Sequence, residues 1–114
     1  MDIEWIRHYC MSLPHATESV QWGSDLVFKI GGKMFAVAAL EPAKVWLSFK
    51  CAPETFTELV ERPGIIPAPY LARHHWIALE TEDALPGAEI RRLIRQSYDL
   101  VLEKLPNKAR AALG

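Results

Sequence analysis

Residues 26–40, LVFKI-GG-KMFAVAAL, constrain the fold more than any other stretch. Two apolar runs are joined by Gly31 and Gly32. Glycine reaches the positive φ that a two-residue hairpin turn requires, so the stretch reads as an antiparallel hairpin. EPAK at 41–44 makes a second turn, and VWLSFK at 45–50 reads as the third strand of a meander. Strands joined this way form an antiparallel sheet, and such a sheet needs helices over at least one apolar face.

The rest of the chain supplies them. Asp2 can cap a first helix that runs to about Ser12, with Ile3, Ile6, Tyr9 or Cys10, and Leu13 at helical spacing, and Pro14 stops it. A short strand is expected around Ser19 to Trp22, before a Gly-Ser-Asp turn. CAPETFTELVERPG puts Pro53 and acidic residues at the start of a short helix, which Arg62-Pro63-Gly64 ends. IIPAPYLA, with two prolines, reads as a loop, and HHWIALE as the last strand. Pro86 fits the first position of a long helix, roughly 86–104, whose apolar stripe is Ile90, Leu93, Ile94, Tyr98, Val101, Leu102 and Leu105. Residues 107–113 form a last helical turn or fray. The expectation is one α+β domain over 1–114: a two-layer sandwich with the N- and C-terminal helices on one face of an antiparallel sheet.

Alternation sorts the sheet residues. A two-residue turn pairs Phe28 with Phe35 and Leu26 with Val37, and the EPAK turn sets Leu40 against Val45, Ala39 against Trp46 and Phe35 against Lys50. One face then carries Phe28, Phe35, Val37, Trp46, Ser48 and Lys50. The other carries Val27, Lys29, Met34, Ala36, Ala38, Val45, Leu47 and Phe49. The small alanines assign the helices to the second face. The first is left open as an aromatic interaction face built on Phe28, Phe35 and Trp46, unless the IIPAPYLA loop covers it. An open face of this kind suits self-association, another protein, or base stacking between cations. A one-residue slip reverses part of this assignment.

Charge excludes little. Lysine and arginine number 13 against 14 acids, a formal net charge of −1, so a charge-driven function needs segregated charges. Arg91, Arg92 and Arg95 cluster early on the last helix, where Arg95 can pair with Asp99. Together with Lys33, Lys44, Lys50 and Arg73 they are the candidate contacts to nucleic-acid phosphates. His74 and His75 are adjacent, and on a strand they point to opposite faces, so they cannot grip one metal together. They remain candidates for a small-ligand site with Tyr70 and Arg73. Cys10 and Cys51 lie outside any metal-ligand spacing and read as buried free thiols. Nothing nominates a catalytic set, a metal or a cofactor. No leader and no apolar run of about 18 residues is present, which implies a cytoplasmic protein without a membrane partner.

GGKMFAVAAL, VWLSFK, GIIPAPYLARHHWIALE and LIRQSYDLV together resemble the YjbR/MmcQ-like family of small bacterial proteins, over about Thr17 to Leu105. The more specific pieces are Gly32-Lys33-Met34-Phe35, the Trp76 strand, and Ser97-Tyr98. The resemblance implies a CyaY-like, frataxin-type sandwich. It also implies a role suggested for the family, DNA binding through hairpin wings, here the Gly31-Gly32 and EPAK hairpins with Lys33 and Lys44 near their tips. Frataxin handles iron through acids on its first helix and edge strand. The first helix here offers only Asp2 and Glu4, beside Arg7 and His8, which argues against iron delivery.

Overall fold

The structure, a computed structural model, describes residues 3–113. Asp2, the expected helix cap, lies outside the described residues. The Gly31-Gly32 hairpin forms as the sequence implies, with both glycines at positive φ, 58° and 82°. It joins β2 (Asp25–Ile30) to β3 (Lys33–Ala39). Leu105, just past the last long helix, packs on the turn: a Cβ on Gly31 would stand 2.5 Å from its Cδ1. Glycine suits the positive φ here, and any larger residue would push the Leu105 side chain aside.

From that turn the pairing starts as a two-residue loop dictates, Ile30 with Lys33 and Lys29 with Met34. Then it slips by one: Phe28 faces Ala36 and Leu26 faces Ala38. Phe35 is the extra residue of a β-bulge. The expected Phe28–Phe35 and Leu26–Val37 pairs are thus replaced by a register one residue out. Beyond the EPAK turn the register is as expected, with Ala36, Val37 and Ala38 facing Phe49, Ser48 and Leu47 of β4 (Leu47–Lys50). Ala39 N–H donates to the Trp46 carbonyl at 2.9 Å.

Where the sequence sets Phe35 opposite Lys50, a side chain from the helix layer takes over. The Ser97 hydroxyl donates to the Phe35 carbonyl at 2.6 Å and accepts from Lys50 N–H at 3.0 Å. Ser97 is the sole fully buried polar residue among those described. Its hydroxyl satisfies the two backbone groups that the bulge and the strand end leave unpaired.

The sheet has six antiparallel strands in the order β1-β2-β3-β4-β6-β5. The edges are β1 (Thr17–Gln21) and β5 (Ile65–Pro67), and β6 (Trp76–Leu79) lies inside. IIPAPYLA is therefore not all loop. Its first three residues form an edge strand, where Pro67 costs no ladder bond that a neighbour needs. HHWIALE gives up its first two residues. Ala72–His74 is a turn of 3-10 helix, and His75, at φ 64°, swings the chain into β6 at Trp76.

Helices α1 (Ile3–Ser12), α2 (Pro53–Leu59) and α3 (Gly87–Lys104) share one core with a single face of the sheet, and α4 (Asn107–Ala112) follows. This is the expected α+β arrangement of helices on one side. The core includes Ile6 and Cys10 of α1, Leu59 of α2, and Ile90, Leu93, Ile94, Tyr98 and Val101 of α3. They meet Phe28, Phe35, Ala36, Phe49 and Ile77 from the strands. The bulge explains why Phe35 and Ala36, though adjacent, both point into this core. Tyr98 meets Phe35 edge-on at 5.4 Å, and its hydroxyl donates to the Pro14 carbonyl at 2.6 Å, tying α3 to the end of α1. No helix among the described residues is long and apolar enough to cross a membrane.

Candidate functional site

The face opposite the helices carries the second, smaller cluster: Ala68, Trp76 and Ala78, with Met34, Val37, Val45, Ile66 and Leu71 packed against it. This corrects the expected faces. Phe28 and Phe35 are wholly buried under the helices and are no interaction surface. Trp46 is half-buried against the main core, where its Nε1 donates to the Thr81 carbonyl at 2.8 Å. Val27, Lys29, Met34 and Val45, expected under the helices, pair or pack with the open face. Val37, Ser48 and Lys50 lie on that face as expected, while Ala36, Ala38, Leu47 and Phe49 lie under the helices as expected. The slip at the bulge reverses β2 and the first residues of β3, and leaves the rest of β3 and β4 in place.

The open face is only partly covered. After β5 the chain folds back over it, and Ala68 N–H donates to the Trp76 carbonyl at 2.9 Å. Between this segment and the strands lies a groove of about 510 Å³, with Met34, Val37, Val45 and Ser48 on its floor. Trp22 and Tyr70 stand at its rim, 67% and 99% exposed. Both hold left-handed backbone conformations, at φ 53° and 67°. Bulky residues rarely adopt that region, and strain of this kind gathers at ligand clamps. Trp22 carries no sequence signal beyond its place before a turn, so the sequence alone does not place it at the groove.

Met34 also lines a neighbouring cavity of about 250 Å³ at the β2–β3 end of the sheet, where Lys33, Lys50 and Lys104 meet Trp76 and Leu105. Lys50 Nζ donates to the His74 carbonyl at 2.9 Å, and burial, then the nearby Lys104, hold its ammonium below the usual lysine range.

The remaining candidates scatter. His74 lines the lysine cavity, whereas the His75 ring stands edge-on to Phe56 at 5.6 Å. Tyr70 belongs to the groove, so the three proposed ligand residues do not form one site. Arg73 is exposed on the 3-10 turn. Lys44 sits on the EPAK turn, at the other end of β3 from Lys33, and seven residues of strand put the two tips roughly 20 Å apart. Arg91, Arg92 and Arg95 lie on α3 in the helix layer. Arg91 covers the Trp5 ring at 5.2 Å, Arg92 reaches Glu89 at 3.6 Å, and Arg95 pairs with Asp99 at 3.1 Å. Of the seven basic candidates the structure brings Lys33 and Lys50 together at one cavity and keeps the three arginines on α3, while Lys44 and Arg73 do not line that cavity.

Both cysteines are buried and free, and desolvation pushes each thiol up to about 12. A larger hollow of about 620 Å³ beside α1 carries Glu41, Glu80 and Glu82 at the end of the sheet away from the lysines. Among the described residues no three histidine, cysteine or acidic side chains gather as a metal would need.

The chain matches the family model YjbR over residues 11–100. It is similar to the uncharacterized protein YjbR of Escherichia coli, 28% identical over 117 residues that cover 99% of this chain and 98% of the relative. The uncharacterized protein YyaQ of Bacillus subtilis is 37% identical over 54 residues, 47% of this chain and 46% of the relative. The crystal structure of the Deinococcus radiodurans protein DR2400, with a DUF419 domain, aligns at a TM-score of 0.86 and 31% identity, over 98% of this chain and 87% of that one. A Pseudomonas syringae protein aligns at a TM-score of 0.71 and 24% identity, over 89% of this chain and 99% of that one, which shows the fold alone. With the family model spanning most of the sequence, this chain belongs to the YjbR family.

Proposed function

We propose that this protein is a non-catalytic binding protein that holds a small, largely apolar molecule in the groove on the open sheet face. The observation that carries this reading is the groove itself: about 510 Å³, apolar on its floor, with Ser48 and Asp25 as its polar groups and two strained aromatics at its rim. Its size falls in the range of small-ligand sites, which are mostly apolar with a few placed polar groups. A protein partner would find a narrow furrow under an overhanging segment rather than the broad aromatic face expected from the sequence.

The DNA reading gains less support. Binding along duplex phosphates needs its cations on one surface, and the two hairpin tips lie at opposite ends of the sheet. Three of the seven basic candidates already face a ring or a carboxylate within the helix layer.

The test is an NMR titration of the 15N-labelled protein with 1-octanol. Resonances of Val37, Ser48 and Leu71 shift in the wild type and stay in place in Val37→Asp. Octanol that leaves these resonances unmoved up to its solubility limit would end the proposal.

A further inference from the structure

We infer that the cavity formed by Lys33, Lys50 and Lys104 is an anion site, and that it receives the phosphate of a phosphomonoester whose apolar tail lies in the groove. For the tail, the inference rests on the groove reading above; for the anion, it stands on the lysines alone. Lys33 of β3, Lys50 of β4 and Lys104 at the end of α3 line one small cavity, and Lys104 is near enough to lower the Lys50 ammonium pKa. Among the described residues none of the three forms an ion pair, and the cavity lining contains no carboxylate. Like charges brought together without a counter-ion repel, and Lys50, drawn partly out of water, carries part of that cost as a lowered ammonium pKa. The C-terminal end of α3 offers Lys104 a favourable dipole, and Lys50 has the His74 carbonyl at 2.9 Å, but neither is a full counter-charge. A phosphomonoester dianion answers three lysines better than a singly charged carboxylate does.

The floor of the cavity is apolar. Trp76, Val101 and Leu105 line it beside the lysines, so an anion bound there would be partly desolvated and its attraction strengthened. Met34 lines both this cavity and the groove, so the two adjoin where the open face meets the end of α3. The opposite end of the sheet carries Glu41, Glu80 and Glu82. With Asp25 also in the groove, the charges favour the anion toward the β2–β3 turn and the tail toward Val45.

The experiment uses octyl phosphate, octanoate, octanol and inorganic phosphate as probes, at matched ionic strength, with NMR of lysine side-chain and backbone signals. Octyl phosphate is expected to bind about tenfold tighter than octanol, the scale of one charge-assisted hydrogen bond, and tighter than octanoate. It should move lysine and groove signals together. Lys50→Gln and, at an exposed position, Lys104→Gln should each remove most of that advantage while octanol affinity stays unchanged. Equal binding of octyl phosphate and octanol, with lysine signals unmoved, overturns the anion site and leaves the groove standing. Inorganic phosphate that moves the lysines while no tail probe touches the groove keeps the anion site and removes the groove reading. Lysine shifts reproduced by sodium chloride alone overturn the inference as simple screening.

Discussion

The two faces of one sheet are built from alternating residues of the same strands, yet they are finished differently. The helix-covered face is sealed: Phe28, Phe35, Phe49 and Ile77 have no exposure, and a serine hydroxyl closes the one gap in the ladder. The open face is apolar at its centre but keeps a groove and two exposed aromatics, and at the end of the sheet it meets the lysine cavity. The sealed face uses its side chains to hold the fold together. The open face leaves side chains of the same type without partners, which is where a ligand has something to gain. The contrast predicts that substitutions divide into those that cost stability and those that cost binding.

The largest effect is expected from Phe35→Ala. It empties the space between Phe28 and Tyr98 and should cost about 3–5 kcal/mol in chemical denaturation; a loss under 1 kcal/mol would mean that the sealed face can collapse around the gap. Ser97→Ala comes next, at about 2–3 kcal/mol, because it strands the Phe35 carbonyl and the Lys50 N–H together. Slowed amide exchange of Lys50 in the wild type, lost in the variant, would locate the effect at that bridge.

Alkaline pH gives the third. Both thiols belong to the sealed core and have folded-state values raised from 9.0 to about 12. A raised folded value means that stability is full below pH 9 and falls as pH rises toward 12, since only the unfolded chain releases the proton cheaply. Each thiol should account for about 1.4 kcal/mol lost per pH unit in that window. Cys51→Ala should flatten the decline relative to wild type, and an unchanged slope would show that water already reaches the thiol.

The smallest effect on stability belongs to the open face. Tyr70 is almost wholly exposed and sits at φ 67°. Tyr70→Gly removes that strain and no buried surface, so stability should hold or rise by less than about 1 kcal/mol. Octanol affinity should nevertheless drop. Loss of stability with unchanged affinity would reverse the contrast between the faces.

Much of the architecture is legible in local patterns. Gly31-Gly32, the prolines at 14, 53 and 86, and the 3–4 spacing from Ile90 to Leu105 each act over a few residues, and each element they mark is present within a residue or two. The long helix begins at Gly87 with Pro86 as its cap, and the first strand is Thr17–Gln21 rather than 19–22. The open face could not be read the same way. Its residues follow from pairing, and a single unmarked bulge at Phe35 exchanged Phe28 and Phe35 for Val27 and Met34. The candidate site suffered most. The sequence offers Lys50 as a phosphate contact and Tyr70 as a ligand residue, carries no signal for Trp22 or Lys104, and does not mark His75 as the left-handed residue that leads into β6.

The sequence by itself determined the antiparallel meander, the helices and the side of the chain's pattern that seeks a core, because turn chemistry and hydrophobic periodicity are local properties. Only the tertiary structure decided which face is open and which charges meet. A β-bulge is stable when a distant group, here Ser97 at the far end of the chain, satisfies the backbone it leaves unpaired. Likewise Lys33, Lys50 and Lys104 share a cavity only once α3 crosses the sheet, and no spacing along the chain encodes that crossing.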